Sequence, residues 1–262
     1  MFRRGYILSG ITVAAVVLVP WYFMRSSIAH LEVTHVSHIT TLTWGPWARV
    51  AWAEASQFSI LLVRSIVIVL VALGARQVVS GHAPDVKTSL GVVGSRLLPF
   101  LGVIFFWMIA LEGLDRVIFP RLEVLWLSAP GVAADLTGIV HSLVGLCASW
   151  SLLGVTFGAR GTVEAFLYGL FGPWRLGSRS LIIALLFILG HFAQRSLAQT
   201  VSVMLSHAAL TPMVASSLVT AARGLVEALF VTLLTIVLTV AFLDAETPGS
   251  KVVRARPSAA QT

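Results

Sequence analysis

The sequence predicts an all-α polytopic membrane bundle of about six transmembrane helices with short interfacial helices, and three observations carry that expectation. Of the 262 residues, 57% are apolar and only 11% charged, against about 45–50% and about 25% in soluble domains. A single water-soluble core of this size cannot hide such a surplus, and the mean hydropathy of +0.92 agrees. The apolar residues also fall into long runs, and a helix needs about 20 of them to cross a hydrocarbon layer roughly 30 Å thick. Those runs lack the alternation of barrel strands, so helices are how their backbone groups are satisfied in lipid. A cytosolic enzyme is excluded.

The first span runs from about Gly5 to Met24. Its Met-Phe-Arg-Arg start has the look of a signal peptide, and Ser27-Ile28-Ala29 offers a small-x-small cleavage pattern. Bulky Trp21, Tyr22 and Phe23 and then Arg25 intervene, so an uncleaved signal-anchor is expected. The next spans run from about Gln57 to Ala75, Leu97 to Leu111, Leu136 to Phe157, Leu181 to Leu197 and Leu225 to Leu243. Residues 1–246 read as one transmembrane helical domain, and 247–262 as a polar, disordered tail.

Orientation follows from the cations between spans. With the N-terminus inside, the larger share of the 18 Lys and Arg residues gathers on that side. Arg76, Lys87, Arg96, Arg160, Arg175 and Arg179 are among them. Both termini are therefore expected in the cytoplasm of a multi-pass protein, in a bacterial inner membrane. The net charge of +7 is scattered between apolar segments and serves orientation, so no nucleic-acid partner is expected.

Three longer loops fall on the opposite side. Trp44, Trp47 and Trp52 surround a Gly45-Pro46 break, and the stretch from Pro120 to Leu127 ends at Ala129-Pro130-Gly131. A third amphipathic stretch, Gln199 to Ala222, is broken at Pro212. Tryptophan favours the headgroup layer, so short helices lying in the outer interface are expected here. On the cytoplasmic side, Gly94-Ser95-Arg96-Leu97 and Gly177-Ser178-Arg179-Ser180-Leu181 echo each other. Each follows an amphipathic stretch, Val86 to Val93 or Thr162 to Leu176, which predicts a repeated unit of elbow helix plus transmembrane hairpin.

The stretch from Ile60 to Leu114 contains an apolar helix and a short polar segment, after which Ser95-Arg96-Leu97-Leu98-Pro99-Phe100 opens a new helix. Ala165-Phe166-Leu167 leads similarly to Ser178-Arg179-Ser180, and the last span closes at Ala241-Phe242-Leu243-Asp244. That layout resembles the six-helix bacterial proteins grouped around the glycerophosphoryl diester phosphodiesterase membrane domain, a set of uncharacterised integral membrane proteins. The resemblance implies a helical membrane module without chemistry of its own. The catalytic domain that gives the family its name is separate, and the closing motif here is reduced to Leu243-Asp244.

Ionisable groups at membrane depth are candidates by default. Arg64 lies inside the second span, where it either snorkels to the interface or pairs with Glu227 or Glu112. His191 falls near the middle of the fifth span, and His141 lies nearer the outer face. Glu112-x-x-x-Arg116 and Phe187-x-x-x-His191 match fragments of prenyl-endopeptidase-type metalloproteases. Leu111 stands where that family pairs its glutamate, however, and His207 is followed four residues later by Thr211. His30, His35 and His38 with Glu32 form a cluster that either binds zinc or copper or simply turns polar residues to water.

The lone Cys147 excludes an intrachain disulfide and a cysteine zinc cage. Walker and Gly-x-Ser-x-Gly motifs are absent from the sequence. Gly138, Ser142, Gly145 and Ser149 form a small-residue face for helix packing. Thr232, Thr235 and Thr239 share a face of the sixth span, where they can bond their own preceding carbonyls and serve packing rather than a transport path. The sequence thus predicts a non-enzymatic structural, accessory or assembly protein. No cofactor is expected, and the expected partners are the lipid bilayer and either other membrane proteins or a second copy. A small transporter is the alternative if Arg64, Glu227 and His191 share a polar cavity. A metalloprotease is the second alternative, requiring Glu112 and His191 at one metal.

Overall fold

A computed structural model describes residues 4–43, 46–158, 160–206 and 212–246, with side chains described for a subset that leaves out 25–54 among others. The described residues form helices α1 (Arg4–Thr43), α2 (Pro46–Val79), α3 (Val86–Ser95), α4 (Leu97–Ser128), α5 (Pro130–Gly158), α6 (Thr162–Phe171), α7 (Ser178–Ser206) and α8 (Pro212–Glu246). A 3-10 turn over Pro173–Leu176 links α6 to α7. No strand occurs among them.

Six of these helices are long and apolar enough to cross a membrane: Gly5–Met24, Phe58–Val79, Leu97–Val117, Pro130–Gly158, Ser178–Val201 and Val214–Glu246. The chain is accordingly a multi-pass, all-α membrane protein. One end of the bundle, here called proximal, carries Arg4, Val79, Leu97, Gly158, Ser178 and Glu246; the other end is distal.

The expected interfacial helices of the three distal loops are corrected by the structure. The spans run on instead: α1 passes straight through residues 27–29 to Thr43, α4 through Pro120 to Ser128, and Pro46 and Pro212 each open a long helix. At 40 residues, α1 is about 60 Å long at 1.5 Å per residue, about twice the hydrocarbon thickness. Hydropathy drops where a helix leaves lipid, but the backbone has no reason to stop there. Proline costs nothing as the first residue of a helix, where its missing N–H is one of the unpaired donors anyway.

The short helices lie at the proximal end, where the Gly-Ser-Arg echo places elbows. The two elbows, α3 and α6, are each 10 residues long. Asp85 caps α3 by accepting from the backbone N–H of Lys87 at 3.0 Å, and it also accepts from the Thr88 hydroxyl. These bonds to its charged form hold the Asp85 carboxyl below its usual range.

The spans pack in two groups. Helix α1 lies on α8 and α2, while α5 is flanked by α4 and α7 and also touches α2 and α8. Tyr6, Leu18, Val67, Val71 and Ile236 fill the first group, and Tyr6 donates to the Val71 carbonyl at 2.6 Å. Phe100, Val103, Trp107, Leu152 and Val155 join α4 to α5, and Trp150, Leu153, Ile183, Leu238 and Phe242 join α5 to α7 and α8. The apolar residues left outside, such as Leu181, Ile182, Leu185 and Leu189 of α7, form a belt that suits acyl chains.

Candidate functional site

Glu227 is the most deeply buried acid among the described residues, with 1% of its side chain exposed. Helix α8 brings it to the distal half of the α1–α2–α8 group, about 28 Å along the helix from Glu246. An isolated carboxylate there is very costly. The sequence supplies two donors at matching depth. The Arg64 guanidinium of α2 donates through Nε to one carboxylate oxygen, and the Tyr22 hydroxyl of α1 donates to the other. The arrangement is charge-neutral: one cation and one anion cancel, and a neutral hydroxyl occupies the remaining oxygen. Arg64 keeps 41% of its side chain open, so Glu227 is the enclosed partner of the pair.

The α4–α5–α7 group carries a looser set of polar contacts at similar height. His141 of α5 donates from Nε2 to Asp115 of α4 at 3.0 Å, and Arg195 of α7 donates to Asp135 of α5 at 3.2 Å. His191 of α7 packs on Gly138, where an added Cβ would come within 2.7 Å of its Nε2. The small-residue face of α5 thus receives an imidazole at Gly138, while Ser142 and Ser149 bond back to the carbonyls of Gly138 and Gly145 at 2.7 and 2.8 Å.

Glu112 accepts from Arg116 one turn on, at 3.0 Å. No cluster of three or more His, Cys, Asp or Glu side chains suited to a metal occurs among the described residues. The side chains of His30, Glu32, His35 and His38, like His207 and the tail from residue 247, lie outside the described residues.

The threonine expectation is corrected. The hydroxyls of Thr232 and Thr239 are buried without a hydrogen-bond partner, so they do not bond the carbonyls before them. At Thr232 the packing explains why, because its methyl stands in the α1–α8 contact, close enough that a Cβ at Gly10 would meet it at 2.9 Å.

The proximal end holds residues that sequence reasoning counted only as loop cations. Arg96, at the α3–α4 junction, donates from Nη1 to the carbonyls of Val155 and, at 2.8 Å, Thr156. These belong to the last turn of α5, whose carbonyls have no partner within the helix. Arg179, the matching residue at the start of α7, pairs with Asp244 in the last turn of α8. In both units the arginine of Gly-Ser-Arg thus clasps the far end of its own hairpin. Arg160 lies 3.8 Å over the Tyr168 ring and pairs with Glu164 at 2.8 Å and Glu246 at 3.5 Å. Burial and the Tyr168 bond to Glu246 push the Tyr168 phenol up from its usual value. The only advance signal for these contacts was the Gly-Ser-Arg echo itself.

Two surface crevices, of about 40 and 50 Å³, lie between α1, α2 and α3 and between α2 and α4, with largely apolar linings. Neither includes Arg64, Glu227 or His191. No family model matches the chain, and no curated protein or solved structure matches it either.

Proposed function

We propose that this protein is a non-enzymatic membrane component with a structural or assembly role, its polar residues serving to tie helices to one another. The observation that carries the reading is the Tyr22–Glu227–Arg64 triad. It joins three helices through a buried carboxylate whose two oxygens are both occupied by the protein's own donors. A carrier needs such a group available to cargo. Asp115 and Asp135, though more open, each accept from a neighbouring helix. The helices that overrun their apolar spans, α1 above all, support the assembly part of the reading by extending beyond the bilayer toward other proteins.

The reading includes cytoplasmic termini in a bacterial inner membrane, following the arginine asymmetry. It also includes distant kinship to the glycerophosphoryl diester phosphodiesterase membrane-domain proteins, supported by the elbow-and-hairpin layout. Reporter fusions after Arg76 and Arg175 are expected to behave as cytoplasmic, and fusions after Thr41 and Pro130 as external. The role itself is tested with the purified chain in proteoliposomes carrying a pH gradient. No proton or solute flux above empty vesicles is expected, whereas a flux abolished by Glu227→Gln would establish the transporter instead.

A further inference from the structure

Helix α6 and the 3-10 turn after it form an elbow, yet their contacts reach well into the bundle. Phe166 packs on Phe106 and Trp107 of α4, with ring centroids 5.4 and 4.9 Å apart. Trp107 lies about 15 Å along α4 from Leu97 at 1.5 Å per residue. Gly169 is pressed against Ser151 and the Cys147 carbonyl of α5, and Gly172 against Trp150. Only glycine fits such close approach. The elbow therefore sits at a depth where the spans are surrounded by lipid.

Its outer side is a stripe of Val163, Leu167 and Phe171 at four-residue spacing, followed by Trp174, and these are 60%, 48%, 61% and 43% exposed. Leu181, Ile182 and Leu185, in the first turns of α7, are exposed as well. Beside Trp174 stands Arg175, which is exposed and has no carboxylate partner among the described residues. Its neighbour Arg179 is engaged by Asp244. An apolar strip at acyl depth that ends at a tryptophan and a free guanidinium matches one occupant: a phospholipid with an anionic headgroup.

We infer that the α6 elbow is a lipid seat. Acyl chains lie along Val163, Leu167 and Phe171, and the phosphate of an anionic phospholipid rests on Arg175. The inference is independent of which way the protein points, since the proximal end faces one leaflet in either orientation.

The single native cysteine, Cys147, is buried, so a Cys147→Ala background permits clean labelling. Nitroxide labels at Leu167→Cys and Phe171→Cys, with His82→Cys as the aqueous reference, are to be compared in vesicles of phosphatidylcholine with phosphatidylglycerol. The two elbow labels are expected to collide with oxygen dissolved in the bilayer and to be shielded from a water-soluble nickel complex, opposite to His82→Cys. In native mass spectrometry from mixed-lipid vesicles, the wild-type chain is expected to retain phosphatidylglycerol several-fold over phosphatidylcholine. Arg175→Gln should bring that ratio close to one, and inorganic phosphate should not compete. Water-exposed elbow labels, labels shielded from both reagents as in a protein interface, competition by phosphate, or an unchanged lipid ratio in Arg175→Gln would each overturn the inference. Retention of the wild-type melting temperature in detergent certifies that the variants are folded.

Discussion

The α1–α2–α8 group and the α4–α5–α7 group solve the same problem, holding polar groups at membrane depth, in opposite ways. The first encloses one carboxylate completely and gives it a cation and a hydroxyl. The second distributes its charges over pairs that stay open, with Arg195 and Asp135 48% and 55% exposed. The chemistry of the pairs is alike and their surroundings differ. The worth of an ion pair is set by what happens to the survivor when its partner is removed. Breaking an enclosed pair strands a charge and costs about 3–5 kcal/mol, whereas an open pair is worth about 0–1 kcal/mol.

The sharpest way to break that comparison is Arg64→Gln, which strands the enclosed Glu227 carboxylate. A loss of about 3 kcal/mol is expected, read as a fall of roughly 10 °C in melting temperature in mild detergent. Tyr22→Phe removes one hydrogen bond to a charged oxygen and should cost about 1.5–3 kcal/mol by the same measurement. Arg195→Gln in the open group should change stability by less than about 1 kcal/mol. An equal loss in Arg195→Gln and Arg64→Gln would erase the distinction between the two groups.

The smallest expected effect concerns the α3 cap. The carboxyl of Asp85 is held below its usual value by Thr88 and the Lys87 N–H. Its contribution is therefore complete above the unfolded pKa of about 3.9 and is lost as pH falls through the lower folded value. The protection of the Lys87 and Thr88 amides from exchange, taken relative to the free-chain rate at each pH, should hold at neutral pH and fall below about pH 4. Asp85→Asn should weaken that dependence.

Much of this was legible in the sequence, for a physical reason. Apolar length alone fixes a span, so Gly5–Met24 is found as read and Leu97 opens its helix as read. Arg64 and Glu227 were identifiable because each is costly in lipid without a partner. Tyr22 was not, since beside Trp21 and Phe23 it reads as one more bulky ring at an interface. The role of Arg96 was hidden because its acceptors are backbone carbonyls of α5, which no residue type marks. The distal helix lengths were missed because hydropathy reports the edge of the lipid and not the end of the helix. Pro46 and Pro212 do mark helix starts, but they open long helices where short interfacial ones were expected.

Arg64 and Glu227 are held at membrane depth by each other. A double-mutant cycle of Arg64→Leu and Glu227→Leu, followed by melting temperature in one detergent, tests it most directly. Arg64→Leu, which strands the enclosed carboxylate, should melt well below the wild-type chain, and Glu227→Leu should lose less. The double variant should recover most of the Arg64→Leu loss, because two leucines leave no stranded charge. A double variant that loses the sum of the two single effects would contradict the account.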